Sequence, residues 1–200
     1  MKITFLIKSE SVNIDKYTIK DIPGSSGRLD VISRCILSSI IKDNGFEENI
    51  QIHIFFDNYG TFVFNPNLLS FSTFPKNELM LSDCIVQIIK TGYNKNKLID
   101  NPLKQIKVKR FSMIDFLKNL KKRGDLIFVL KEDGEDYLNL IDNKHPLGEL
   151  YFIIGNQSED LINSEEFLKL KIPSINIGTK SYLASSVIRI IKFNLKILFS

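Results

Sequence analysis

Cysteine and histidine are scarce in this chain, two of each in 200. Cys35 and Cys84 lie far apart and form no CxxC or Cys/His pattern, so two reduced thiols of an intracellular protein are expected. His53 and His145 do not cluster, which excludes a histidine metal centre and Ser-His-Asp catalysis; no metal is expected. His53 lies inside an apolar strand and reads as a satisfied core residue. Long hydrophobic runs are missing too: the longest span a few residues, far short of the ~20 that cross a bilayer. Lys8, Glu10 and Asp15 follow the apolar opening too soon for a secretory signal, so a soluble, cytoplasmic protein without a membrane partner is expected. No GxGxxG follows a strand and no GxxxxGK[ST] occurs, which removes support for a Rossmann dinucleotide site and a P-loop nucleotidase.

The remainder is an ordinary globular composition, 44% hydrophobic and 25% charged. A chain of this length buries about 70% of the surface its unfolded form exposes, enough to hold one domain without staples. The net charge of +4 says little, but its distribution says more. Between Pro102 and Arg123 eight basic residues face one acid, Asp115, whereas from Asp125 to Glu149 seven acids face two lysines. The basic run reads either as a solvated helix face or as a surface that attracts a polyanion.

Hydrophobic periodicity predicts a strand over Lys2–Lys8, then a mixed connection ending in an open loop, Pro23 to Gly27. Leu29, Ile32, Ile36 and Ile40 recur at helical spacing, with Gly45 as the expected stop. Strands are predicted over Ile50–Phe56 and Thr61–Phe64, joined by a turn at Tyr59-Gly60. A helix follows over Leu79–Ile89, a short strand over Lys104–Lys109, and a helix over Met113–Lys122 between Ser112 as N-cap and Gly124 as stop. Leu126–Leu130 and Leu150–Ile154 read as buried strands. Ser164–Leu170 reads as a short helix, Ser174–Ile177 as a strand and Ser181–Leu198 as a closing amphipathic helix. Alternating strands and helices predict an α/β fold with a mostly parallel sheet. One domain over residues 1–200 is expected, with halves of about 1–95 and 103–200 joined across the Asn- and Lys-rich Gly92–Pro102 segment.

Three predicted strands end in small or polar loops: Leu130 before Lys131 to Asp136, Ile154 before Gly155-Asn156, and Ile177 before Gly178-Thr179-Lys180-Ser181. In open α/β sheets ligands bind outside the carboxyl ends of strands, and glycine lets backbone approach them. On spacing alone these glycines equally well make turns. Gly27-Arg28-Leu29-Asp30 opens a helix, where Asp30 either complements the macrodipole or serves as a general base beside a phosphate-holding Arg28.

At these same residues the chain resembles the archaeal tRNA pseudouridine N1-methyltransferases of the SPOUT superfamily. Asp21-Ile22-Pro23-Gly24-Ser25-Ser26-Gly27-Arg28-Leu29-Asp30-Val31-Ile32-Ser33-Arg34-Cys35 is similar to their Leu-Pro-Gly-x-Gly-Arg-Met-Asp-Leu-x-x-Arg-Cys segment. Leu130-Lys131-Glu132-Asp133-Gly134-Glu135-Asp136 resembles Leu-x-Glu-Asp-Gly-Glu-Asp, and Ile175 to Ser185 resembles Ser-Leu-Gly-Pro-Lys-Ser-Leu-Leu-Ala-Ser. The resemblance implies a SPOUT fold, a mostly parallel sheet flanked by helices, whose C-terminal part forms a deep trefoil knot. It also implies a homodimer and S-adenosyl-L-methionine as cofactor, held by Leu130, Gly155, Ile177, Gly178, Thr179, Lys180, Ser181 and Tyr182. The implied reaction is N1-methylation of pseudouridine in tRNA, at position 54 of the T loop; for that reaction Asp30 is the candidate proton acceptor, with Arg28 holding an adjacent phosphate or the base. RNA contacts are expected from Arg28, Arg34, Lys107, Lys109 and Arg110.

The chain departs from the family pattern in three places. Ser186 and Val187 replace His-Cys, Asn156-Gln157-Ser158-Glu159 replaces an Asp-His loop, and Pro75-Lys76-Asn77-Glu78 stands where Pro-Asp-Glu-Arg is usual. Backbone binding of a cofactor should survive these changes; RNA contacts are where they bear. Two other readings stay open: methylation of an rRNA pseudouridine or another nucleoside, and a catalytically silent RNA-binding or ribosome-assembly protein that retains the fold.

Overall fold

The computed structural model describes residues 2–136, 149–155, 160–178 and 180–198. Thr179, His145 and the Asn156 to Glu159 loop, all singled out in the sequence, lie outside the described residues. Nine strands are present among the described residues: β1 (Lys2–Ser9), β2 (Ile41–Lys42), β3 (Gly45–Phe46), β4 (Ile50–Phe56), β5 (Gly60–Phe64), β6 (Lys107–Lys109), β7 (Leu126–Asp136), β8 (Glu149–Ile153) and β9 (Ser174–Asn176). Seven form one sheet in the order β6-β5-β4-β1-β8-β7-β9, and β2 and β3 form a separate small hairpin. The pairs β1/β4, β1/β8, β7/β8 and β7/β9 are parallel; β4/β5 and β5/β6 are antiparallel. The two halves of the chain share this sheet, since β8 pairs with β1 and β6 with β5.

Alternation along the strands sends side chains into two apolar layers. Ile3, Phe5 and Ile7 of β1 join one cluster with Leu29, Ile32, Ile36 and Ile40 of helix α2 (Leu29–Ile40) and Leu81, Ile85 and Ile88 of helix α3 (Glu78–Lys90). Val187, Ile188, Ile191 and Leu195 of the C-terminal helix, Ala184–Leu198, belong to the same cluster. Leu6 points the other way and meets Phe55, Ile127, Val129, and Met113, Leu117 and Leu120 of helix α4 (Met113–Arg123). The result is a sheet flanked by helices on both faces. A helix of α2's length is marginal by itself. Burial of its four apolar side chains, roughly 1.5–3 kcal/mol each, is what holds it.

Several local expectations are corrected. The Pro23–Gly27 loop contains a helical turn, α1 (Ile22–Ser25): the Asp21 carboxylate accepts from Gly24 N at 3.1 Å, and Pro23 sits in the first turn, where its missing N–H costs nothing. Helix α2 stops at Ile40, not Gly45, because Ile41 turns extended and Ile41–Lys42 pairs with Gly45–Phe46. The predicted strand over Lys104–Lys109 is strand only from Lys107, since Lys104 and Ile106 donate to turn carbonyls at Asn101 and Leu103. Leu126–Leu130 extends to Asp136: after an irregularity between Leu130 and Glu135 the chain returns to pair Glu135 and Asp136 with Ile175 and Asn176. The helix expected over Ser164–Leu170 is Glu165–Leu168, with Ser164 as its cap, preceded by a separate turn at Asp160–Asn163. The strand over Ser174–Ile177 ends at Asn176, and the closing helix starts at Ala184, leaving Ser181 to Leu183 non-helical.

His53 is a core residue, 9% exposed, 5.2 Å ring to ring from Phe116. It is not a satisfied one, because among the described residues neither ring nitrogen has a hydrogen-bond partner. Burial, reinforced by Lys109 and Lys2 and opposed by Glu149, lowers its pKa from 6.5 to about 4. The folded state therefore refuses a proton that the unfolded chain accepts. This contribution to stability is complete above about pH 6.5 and is lost as the pH falls through about 4. Thermal melts across this range should show His53→Leu with a shallower acid decline in melting temperature than wild type; parallel declines would remove His53 as the cause.

Candidate functional site

Five parallel strands point their carboxyl ends the same way, and there the part of β7 from Leu130 onward converges with the residues that follow β8 and β9. They enclose a cavity of about 220 Å³ lined by Leu130, Ile154, Gly155, Ile177, Gly178 and Tyr182, with Lys131, Glu132, Asn176 and Lys180 among its other walls. Of the eight sequence-predicted cofactor residues, six line this cavity; Ser181 lies next to it, and Thr179 is outside the described residues. Asn176 ties two of the three segments together: its side-chain amide donates to the Gly134 carbonyl, and its Oδ1 accepts from Gly178 N at 3.2 Å. Gly178 has φ +139°, a conformation that L side chains rarely adopt, and an added Cβ would stand 3.3 Å from the Tyr182 hydroxyl.

A second cleft, of about 450 Å³, adjoins the first and shares Gly155, Tyr182 and Ala184 with it. Its far wall is the end of β1 and the first turns of α2, including Arg28, Arg34 and Cys35; Ser181 lies on its near side. Burial pushes the Cys35 thiol up to about 12, so it remains a neutral wall.

Arg28 owes its position to two successive left-handed residues, Gly27 at φ 61° and Arg28 at φ 71°. Gly27 is obligatory, since a Cβ there would lie 1.7 Å from the Ser11 carbonyl oxygen. The Ser11 hydroxyl donates to the Gly27 carbonyl at 2.8 Å, pinning the turn. Arg28 stands at the N-cap but makes no side-chain cap; buried Ser26 accepts from Leu29 N at 3.2 Å instead. The Arg28 side chain is thus left for other work. Its Nε and Nη2 donate to the two Asp30 oxygens at 3.1 and 3.3 Å.

Asp30 is 7% exposed and is absent from the lining of both cavities. Arg34, one turn on, reaches it at 3.7 Å but makes a shorter two-point pair with Glu78, at 2.8 and 2.9 Å. Sequence reasoning registered Glu78 only as a departure from the family pattern. Its contact with Arg34 spans 44 positions, and nothing in local periodicity signals it.

The predicted RNA cations divide by place. Arg28 and Arg34 line the cleft, whereas Lys107, Lys109 and exposed Arg110 lie on or just past the edge strand β6. Four strand spacings, roughly 19 Å, separate that edge from β8. Lys109 Nζ lies 5.6 Å from the Phe111 ring centre. Among the described residues no group of three or more His, Cys, Asp or Glu could hold a metal, and no helix is long and apolar enough to cross a membrane.

This geometry has counterparts among known proteins. A tRNA (pseudouridine(54)-N(1))-methyltransferase of Thermococcus onnurineus is 27% identical over 92% of each chain, and the enzyme of the same name from Pyrococcus abyssi is 26% identical over 94% of each. The crystal structure of Archaeoglobus fulgidus Nep1 bound to S-adenosylhomocysteine superposes with a TM-score of 0.65 over 99% of both chains, at 15% identity, and shares the fold. The family described as "Putative SAM-dependent RNA methyltransferase" matches residues 2–197. With all but a few terminal residues covered by that match, the chain belongs to this RNA methyltransferase family.

Proposed function

We propose that this chain methylates N1 of pseudouridine 54 in the T loop of tRNA, using S-adenosylmethionine, as a cytoplasmic homodimer whose C-terminal half is knotted. The observation that carries the reading is the pair of adjoining cavities at the carboxyl ends of the parallel strands, one walled largely by backbone and aliphatic groups, the other carrying an oriented arginine. The names of the archaeal relatives and the ligand of the Nep1 structure point the same way. The strand order β8-β7-β9, in which β7 lies between the consecutive strands β8 and β9, is compatible with a knot.

The smaller cavity suits the cofactor. Leu130, Ile154, Ile177 and Val187 give apolar walls for an adenine, and Gly155 and Gly178 expose backbone groups to it. Lys131, Glu132 and Lys180 offer charges for the amino-acid portion, and Tyr182 closes the side toward the cleft. When bound, S-adenosylmethionine supplies a methyl group on a sulfonium, ready for in-line displacement. The protein's part is to align N1 with that methyl group. N1 of pseudouridine carries a removable proton, whereas N1 of uridine is tied up in the glycosidic bond. A base taken out of its stack would enter the wider cleft beside Arg28. Lys107, Lys109 and Arg110 would meet the RNA backbone farther out along the sheet.

A proton acceptor must face the cleft, but both Asp30 oxygens face Arg28 and one is also near Arg34. The role we assign to Asp30 is therefore to orient Arg28. Nε and one Nη2 hydrogen are occupied, and the remaining three N–H groups of the guanidinium stay available for a phosphate. Single-turnover methylation of a pseudouridine-bearing T-arm RNA by wild type, with no methylation of the uridine version, is the expected result. Absence of both transfer and cofactor binding by folded protein would leave the silent RNA-binding reading. Asp30→Asn should weaken RNA binding about tenfold. A 10²–10⁴-fold loss of turnover at unchanged RNA affinity would instead make Asp30 the proton acceptor.

The homodimer rests on apolar surface left over after the core is filled. Val187, Ile191 and Leu195 of the closing helix are used within the subunit, and Ile190 is half-buried. Leu183 and Phe193 remain 68% and 65% exposed, and Leu79 and Met80 at the start of α3 are about half exposed. Light scattering at micromolar concentration should give about twice the 23.0 kDa chain mass, and Phe193→Asp should shift it toward one chain. A wild-type mass of one chain would contradict the dimer.

A further inference from the structure

Four side chains form one chain of charges, and two of them, Arg28 and Arg34, line the cleft. Glu78 accepts from Arg34 through Nε and Nη2 at 2.8 and 2.9 Å. Arg34 Nη2 lies 3.7 Å from Asp30 Oδ2, the same oxygen that Arg28 Nη2 reaches at 3.3 Å. Arg28 Nε completes the set on Asp30 Oδ1 at 3.1 Å. Two guanidinium groups thus compete for one buried carboxylate. Arg34 has the advantage of helical position, since Asp30 and Arg34 are four apart on α2, the spacing at which ion pairs form. Arg28 has the disadvantage of exposure: its side chain is 47% exposed and water is its alternative partner. Only a stronger claim on Arg34 leaves Asp30 to Arg28, and that claim comes from Glu78.

We propose that Glu78 is a positioning residue for Arg28: by holding Arg34 in a two-point ion pair it leaves Asp30 to Arg28 and so keeps Arg28 aimed into the cleft for an RNA phosphate. The inference rests on the reading of the cleft as the RNA site. It also gives a use to the position where the family pattern has an arginine and this chain has a glutamate. In this chain Arg34 is spent on orientation, and Arg28 is the group presented. The hydrogen bonds donated to the carboxylates are the leading cause raising both guanidinium pKa values, to Glu78 for Arg34 and to Asp30 for Arg28.

The sign of the effect separates this from simple electrostatics. Removing a carboxylate beside an RNA path should tighten RNA binding, and removing an arginine should weaken it. The competition predicts the reverse for both steps. In Glu78→Ala, Arg34 turns to Asp30 and displaces Arg28, so affinity for a pseudouridine-bearing T-arm RNA should fall about tenfold, the value of one charge-assisted contact. The slope of log affinity against log salt should become shallower by about one, as for a lost phosphate contact. Adding Arg34→Ala to Glu78→Ala removes the competitor and should restore most of the affinity. Glu78→Gln, which keeps an acceptor without the charge, should fall between.

Folding is not expected to interfere. The α3 cap is made by Asn77, whose side chain accepts from Met80 N at 2.8 Å, and Glu78 takes no part in it. Melting curves of each variant check this, and fluorescence anisotropy at two or more salt concentrations reads the affinities. Unchanged or tighter binding by Glu78→Ala would overturn the inference, as would a double variant that binds no better than Glu78→Ala. A wild type that neither binds nor methylates the RNA would instead retire the functional reading on which the inference rests.

Discussion

Everything at the site depends on strand polarity. β4, β1, β8, β7 and β9 lie side by side and all run in the same direction, so their carboxyl ends open on a single edge. The loop leaving β1 carries Ser11 and leads to Gly27 and Arg28; Leu130 stands within β7 where its pairing becomes irregular, and the segments leaving β8 and β9 carry Gly155 and Gly178. Reversing any one of these strands would send its loop to the opposite edge. The antiparallel β4/β5/β6 meander is confined to one side, where it extends the basic edge without disturbing that convergence. The two cavities share walls because β1 and β8 are neighbours, roughly 4.8 Å apart.

Within that frame the cleft is organised around a buried charge. A carboxylate as enclosed as Asp30 is stable only with charged or hydrogen-bonding partners close by. Two guanidinium groups meet that need, and in return the carboxylate fixes the direction of a side chain whose backbone sits in a left-handed turn. Hydrogen bonds hold that turn, from the Ser11 hydroxyl to the Gly27 carbonyl and from Asn13 N to the Ser26 carbonyl at 3.2 Å. Lys192 ties down the other end of α2 by donating to the carbonyls of Ser38 and Ile41, while its charge is met by Glu47 at 3.0 Å. Both ends of α2 are anchored, so its cleft-facing turns are held in place.

Elements defined by local chemistry were legible in the sequence. β4 spans the same Ile50–Phe56 that alternation indicated, and α4 begins after Ser112 and ends at a left-handed Gly124, where capping preferences put its limits. The three strand ends are ambiguous between turns and a ligand site until the family motifs are added to their glycines and polar residues, and most of the residues so implicated line one cavity. What stayed hidden depends on partners distant in sequence. The return of Glu135 and Asp136 onto β9 looks like a solvated acidic loop until β9 is alongside. The hydrogen-bonding state of His53 depends on what α4 brings over it, here Phe116. The role of Asp30 depends on which way its oxygens point, which neither the spacing nor the family motif could convey. Glu78 was visible as a departure, but its meaning required α3 to be placed against α2.

The central position of β1 also sets an order of events during synthesis. One edge of β1 can pair with β4 soon after the ribosome releases it, and β5 can then add to β4. Its other edge has to wait for β8, which begins at Glu149, long after β5 ends at Phe64. At ~5–20 residues per second that interval is on the order of ten seconds. During it, one side of β1 carries unpaired amides and carbonyls, the arrangement that invites pairing with other chains. Leu6 stays uncovered until α4 has been made, and β1 stays open on that side until Glu149 and the residues after it have followed, so a factor that guards open strand edges has its use on the nascent chain.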